Sequence, residues 1–143
     1  MRALLDVNVL IALFDADHIN HEQAHNWFVH NQFGWASCPL TENGLVRILC
    51  HPHYSKIIKR TAIEVIADLR EVSMRTNHEF WPDDITICNN EFIRADRIQG
   101  HRQITDVYLL ALAVKHGGCL ATFDASISLD IVIGATPSHL VLI

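Results

Sequence analysis

The chain has 143 residues, and what it has little of narrows it first. It holds only four prolines and six glycines, and no stretch rich in Pro, Gly or Ser. That excludes an obvious linker, and residues 1–143 read as one domain. No internal repeat or low-complexity tract is present, which excludes solenoid and fibrous architectures. No apolar run approaches the ~18 residues that span a bilayer. The apolar amino terminus is interrupted by Asp6, which argues against a secretory signal, so a cytoplasmic protein with no membrane contact is expected. The four cysteines (Cys38, Cys50, Cys88, Cys119) form no C-x-x-C pair. They read as small core residues in a reducing compartment rather than as staples or a zinc knuckle. Basic residues are also short: 11 Lys and Arg face 16 Asp and Glu, and the net charge is −5. Binding nucleic acid by bulk charge alone is therefore excluded, but meeting phosphates through a metal ion is not.

Half of the residues are hydrophobic, and their patterning alternates between strands and helices. "RALLD" (2–6), "GWASCP" (34–39), "CLATFD" (119–124) and "HLVLI" (139–143) read as strands, with a short strand or turn at "HEFWPDD" (78–84). Helices are predicted in "VNVLIALFDA", over 20–31, over 41–50 with Thr41 as N-cap, and over 59–73. In the last of these, Ile63, Ile66, Ala67 and Leu69 form the apolar face. Further helices are predicted over 89–98 and over 104–118, the latter with Thr105 as N-cap and Gly117–Gly118 as its stop. Trp27, Phe28, Phe33 and Trp35 are assigned first to the core and second to a groove for a partner helix. Several strands are apolar throughout, which suits an α/β fold with a central, mostly parallel sheet covered on both faces. Sites in such sheets form at the carboxyl ends of the strands.

Four acids occupy such ends. Asp6 closes the first strand and Asp124 follows "CLATF", while Glu42 and Asp106 lie in the first turns of helices. For Glu42 or Asp106 alone the helix dipole is the commoner explanation. Asp6 and Asp124 sit in apolar surroundings, where an unpaired charge is costly. Four clustered carboxylates repel one another unless a divalent cation intervenes, and an all-oxygen set suits Mg²⁺ or Mn²⁺. Such a site supports phosphodiester hydrolysis.

The order "LLDVNVLIAL", "TENGLVRIL", "ITDVYLLALAVKHGGCLATFD" resembles a PIN domain, specifically the VapC-type toxins of bacterial type II toxin–antitoxin pairs. The resemblance spans nearly the whole chain. It implies a three-layer α/β/α sandwich and a Mg²⁺-dependent endoribonuclease that leaves a 5′-phosphate and a 3′-hydroxyl. It also implies a homodimer and inhibition by a cognate VapB-type antitoxin. By position, Asp6 and Asp106 would be the principal metal ligands, and Glu42 and Asp124 would complete the catalytic set. Asn8, Thr105 and Thr122 would support the site. For the RNA backbone, Arg47, His51, His53, Lys56, Lys59 and Arg60 form one basic group, and Arg94, Arg97, His101 and Arg102 a second. Each of these taken singly is more commonly a solvated surface charge.

Rival readings remain. "HEQAH" (21–25) fits the H-E-x-x-H pattern of zinc metallopeptidases, with His21 and His25 as ligands and Glu22 as base. The extended metzincin form fails, because Phe28 and Asn31 stand where Gly and His are needed. A zinc protease would also leave Asp6, Asp106 and Asp124 without a role. A phospho-aspartate phosphatase needs D-x-D after the first strand, and Asp6-Val7-Asn8 lacks the second carboxylate. A non-catalytic RNA-binding or interaction module is disfavoured by the complete acid set.

Overall fold

The structure is a computed structural model and describes all residues, 1–143. Five parallel strands form one sheet in the order β3-β2-β1-β4-β5: β1 (Ala3–Leu5), β2 (Trp35–Ser37), β3 (His78–Phe80), β4 (Cys119–Thr122) and β5 (Leu140–Leu142). The alternation of side chains across the strands divides the core. Ala3, Leu5, Trp35, Cys119 and Ala121 face one side, where they pack with residues from α1 (Val7–Phe14), α3 (Pro39–Leu49) and α4 (Ala62–Arg75). Leu4, Ala36 and Leu120 face the other, against α5 (Ile104–Lys115). This is the expected α/β/α sandwich. Helix α5 is buried continuously from Val107 to Ala113, which explains why it is apolar all round.

The helix α2 (His21–His30) buries only Ala24 fully, with Trp27 and Phe28 packed against the first core cluster. Trp35 is in the core as expected, but Phe33 is 67% exposed. Cys38 and Cys119 are buried, Cys50 is half-buried and Cys88 exposed, with no disulfide among them.

Several boundaries differ from the sequence reading. Helix α3 starts at Pro39, not after Thr41. Proline at the first helical position needs no amide partner, and the Thr41 hydroxyl instead accepts the Cys38 amide at 3.0 Å. Helix α4 starts after Thr61, whose side chain and Glu64 form a reciprocal capping box. Its buried positions are Val65 and Leu69, whereas Ile63 and Ile66 are exposed. Gln103, not Thr105, caps α5. The predicted helix at 89–98 does not form. The Asn89 side chain accepts the Glu91 amide at 2.9 Å, a local turn that competes with a helix. Ile93 then bridges Val132, and Arg94 donates its amide to Ile131 at 2.8 Å, so tertiary pairing overrides the local pattern.

Gly118, just before β4, leaves no room for a side chain: an added Cβ would lie 2.5 Å from the Arg2 carbonyl oxygen and 2.5 Å from the Trp81 ring. Gly100 has open space. Gly118→Ala is therefore expected to destabilise the fold by about 1–3 kcal/mol in denaturant unfolding, through overpacking. Gly100→Ala should stay within about 0.5 kcal/mol.

Candidate active site

The site begins with strand pairing. β1 lies beside β4 with Leu5 opposite Ala121, so Asp6 and Thr122 emerge together at the carboxyl end of the sheet. The Asp6 amide donates to the Ala121 carbonyl, and the Asp6 carbonyl accepts the amides of Val9 and Leu10. Asp6 is thus the N-cap residue of α1, at the one point where the central strand becomes a helix. Its side chain is 4% exposed and accepts the Thr122 hydroxyl at 2.8 Å. The same Thr122 oxygen accepts the Asp124 amide at 3.1 Å. One buried hydroxyl thus couples two of the acids.

Helix α5 runs back along the sheet before feeding β4, so its first turn returns to the same end. Asp106 projects there. Burial raises its carboxyl pKa to about 6, and the charges of Asp6 and Asp124 push in the same direction. Burial also raises Asp6, against the opposing effect of the Thr122 hydroxyl and the amides of Val7 and Asn8, with Asp124 adding to the rise. Asp124 is lowered: the side chain and amide of Ser126 stabilise its charge, with the amide donating to Oδ1 at 2.7 Å. The three aspartates therefore feel one another's charge, and no Lys, Arg or His forms an ion pair with any of them.

Glu42 stands apart. It is not among the charges that shift Asp6 or Asp106. Its Oε1 accepts the Ser37 hydroxyl at 2.6 Å, and the Ser37 oxygen also lies 2.8 Å from His78 Nε2. Asn8 is exposed in the first turn of α1 and reaches Asp6 through its amide. Thr105 is exposed and caps nothing, so the structure does not join it to the site. Sequence reasoning missed Ser37, His78 and Ser126. Only Ser126 had a signal, the Asp-Ala-Ser spacing of an Asx turn.

The donor set fits a hydrated cation. No three His, Cys, Asp or Glu side chains are placed to hold a metal ion together, so a cation here would rest on one or two carboxylates and water. Mg²⁺ keeps several waters and needs only one or two carboxylates, and here three like charges lack a protein counter-charge. The "HEQAH" pair has no third ligand either. His21 Nδ1 lies 2.7 Å from the Ala12 carbonyl oxygen, and its ring stacks on His25 with centroids 5.9 Å apart.

The basic residues divide by their partners. Arg60 is ion-paired to Asp68 and donates to the Phe14 carbonyl at 3.1 Å. Arg97 is ion-paired to Asp130. Lys59 braces its own loop through the Pro52 and Ser55 carbonyls. These three are engaged by protein partners as placed, which makes them weaker candidates for substrate than cations without such partners. Arg47, Lys56 and Arg102 are exposed and free of ion pairs.

The raised Asp106 pKa carries a stability consequence. A carboxyl raised to about 6 from 3.8 disfavours the folded state above pH 6, and the effect fades as pH falls toward the ordinary carboxyl value of the unfolded chain. In metal-free protein at pH 7.5, Asp106→Asn is expected to raise Tm by roughly 2–6 °C, after allowance for solvent screening of a half-exposed group. Thermal melts at pH 7.5 and pH 4 check this: the gain should shrink toward zero at the lower pH.

Comparison with known proteins accords with this geometry. The PIN domain family model matches residues 3–129. The chain is 47% identical over 142 residues to ribonuclease VapC44 of Mycobacterium tuberculosis, covering 98% of each chain. It is 42% identical over 129 residues to ribonuclease VapC39 of the same organism, covering 90% of this chain and 92% of that one. Among solved structures it resembles M. tuberculosis VapC20, described as a sarcin–ricin-loop-cleaving toxin. The TM-score is 0.62 at 14% identity, over 94% of this chain and 99% of that one. It also resembles VapBC2 from Rickettsia felis bound to a promoter DNA fragment, with TM-score 0.58 at 14% identity over 100% and 98% of the two chains. At that identity the solved structures speak for the fold alone, but the family match and the near-full-length relatives agree: the chain belongs to the PIN-domain family, in its VapC branch.

Proposed function

We propose that this chain is a divalent-metal-dependent endoribonuclease, the toxin of a toxin–antitoxin pair. The observation that carries the reading is the convergence of Asp6, Asp106 and Asp124 without a basic partner, at the carboxyl end of a parallel sheet. A bound Mg²⁺ or Mn²⁺ would neutralise the scissile phosphate and make a water nucleophilic near neutral pH. The residues do the rest. Asp124, held ionised by Ser126, and Asp6, fixed by Thr122, present carboxylate oxygens in a set geometry. Without a cation, burial and the charges of Asp6 and Asp124 hold Asp106 at about 6, so a cation bound there would displace its proton and bind less tightly as pH falls. Glu42, held by Ser37 at the start of α3 on the β2 side, would complete the set.

Arg47, Lys56 and Arg102 are the cations free to meet RNA phosphates. The antitoxin reading rests on a cleft of about 490 Å³ between α1, α2 and α4, lined by Leu10, Leu13, Phe14, Phe28 and Val72 and rimmed by Glu71. It suits an amphipathic partner segment of the helix-in-groove type. A homodimer and a VapB-type antitoxin belong to the same proposal, as does an intracellular setting. No helix is long and apolar enough to cross a membrane.

Purified protein should cleave single-stranded RNA with Mg²⁺ and stop on addition of EDTA. Asp6→Asn and Asp106→Asn should each lower the rate at least ~100-fold, as loss of a group that acts on the reacting centre does. Cleavage that persists in EDTA would overturn the mechanism. Arg102→Ala should weaken RNA binding and flatten the dependence of log K on log salt by roughly 0.7, one phosphate contact on a single strand. Arg97→Ala should leave that slope unchanged.

A further inference from the structure

We infer that His78 and Ser37 form a hydrogen-bonded relay that fixes the Glu42 carboxylate, making both of them positioning residues for the proposed nuclease reaction. The inference rests on that reading for its consequence, but its geometry stands alone.

Ser37 is fully buried, on a strand whose neighbours are Trp35, Ala36 and Cys38. A buried hydroxyl needs partners, and most find a nearby carbonyl. This one instead donates to Glu42 Oε1 at 2.6 Å, the short distance of a charge-assisted bond. The hydroxyl has one proton, and Glu42 takes it. His78 Nε2, 2.8 Å from the same oxygen, must therefore be the donor in that contact. The geometry selects the Nε2–H tautomer. The chain then runs in one direction: imidazole N–H to Ser37 oxygen, Ser37 O–H to carboxylate.

His78 is itself held. Its Cα pairs in register with Trp35, so the two side chains share a face of the sheet. The rings lie 4.3 Å apart between centroids at 49°. The Trp35 indole N–H is tied to the Thr76 hydroxyl at 2.8 Å, and that hydroxyl donates to the Val72 carbonyl of α4 at 2.7 Å. Burial and the nearby Arg2 charge lower the imidazole pKa, which keeps the ring neutral. Every link from α4 to Glu42 is thus a directed bond or a packed ring.

The purpose is rotamer control. Glu42 lies in the first turn of α3, uncoupled from the three aspartates, and a free glutamate there would sample many positions. With Oε1 held by Ser37, the second oxygen has no hydrogen-bond partner of its own. Partners of this kind typically change activity 10–100-fold when removed from metal sites.

The experiment uses the full-length protein with an RNA oligonucleotide that the wild type cleaves. Ser37→Ala should lower kcat about 10–100-fold with KM within about 2-fold, and raise the Mg²⁺ concentration for half-maximal rate. His78→Phe keeps the ring on Trp35 and removes the donor, so it should lower kcat. His78→Gln, which restores an N–H, should recover part of the loss. The Ser37→Ala/His78→Phe double variant should be no worse than Ser37→Ala, because both break one chain. Unchanged kcat in either single variant, or additive losses, would overturn the relay. Nitrogen-15 spectra of histidine-labelled, metal-free protein give a readout without catalysis. A His78 Nε2–H signal that shifts in Ser37→Ala supports the relay, and an Nδ1–H tautomer overturns it. If the wild type cleaves no RNA, the nuclease reading fails, while the spectra still decide the relay.

Discussion

A carboxylate almost fully withdrawn from water, Asp6, stands where the central strand β1 turns into α1, and the rest of the molecule is arranged to tolerate it. Burial favours its neutral form. Two features oppose that. The first is the amino end of α1, whose amides and dipole favour negative charge. The second is the Thr122 hydroxyl, which arrives only because β4 lies directly against β1. Strand order, helix start and site are therefore one constraint. If β4 were displaced by a strand, Thr122 would leave Asp6 and carry Asp124 away with it.

Asp106 shows the other side of the same constraint. Helix α5 must pack its continuous apolar surface against the sheet before it can feed β4. That path returns its first turn to the carboxyl end of β1 and places a third carboxylate near two others. The resulting like-charge field disfavours ionisation of Asp106 and of Asp6. Strain of this kind is what a functional site keeps and a purely structural one would lose. Glu42 escapes it by facing Ser37 on the β2 side, which is why the site has two parts: a coupled aspartate trio and a tethered glutamate.

The sequence made the frame legible because its strands are short and apolar, and because the acids fall at their ends. The parallel sheet and the sandwich could be read from the apolar strands, and the aspartates of "LLDVNVL", "ITDVY" and "ATFD" are the acids that the fold brings within reach of one another's charge. What the sequence did not show depends on partners far along the chain. Ser37 and His78 are 41 positions apart and meet only because β2 pairs with β3. The helix expected over 89–98 was lost to pairing with the segment around Val132. Arg60 and Arg97 looked like phosphate contacts until Asp68 and Asp130 were seen beside them. Helix α4 has apolar residues on more than one face, so periodicity selected Ile63 and Ile66 along with Leu69, whereas packing keeps Leu69 and adds Val65.

The same distinction settles the H-E-x-x-H match. Helix α1 ends in carbonyls that have no partner within the helix, and it ends against buried surface. The Asp15 amide takes the Ile11 carbonyl, Arg60 reaches the Phe14 carbonyl, and His21 Nδ1 takes the Ala12 carbonyl. A carbonyl can only accept, so the imidazole must carry its proton on Nδ1 when neutral. Cationic or polarised donors at a helix carboxyl end also suit its dipole. His21 therefore joins the start of α2 to the end of α1, and His25 stacks on it one turn later. That spacing of four is the spacing zinc would require, and helix geometry supplies it in either case. The motif records how α2 is docked on α1, and the candidate acid Asp6 stands at the opposite end of α1.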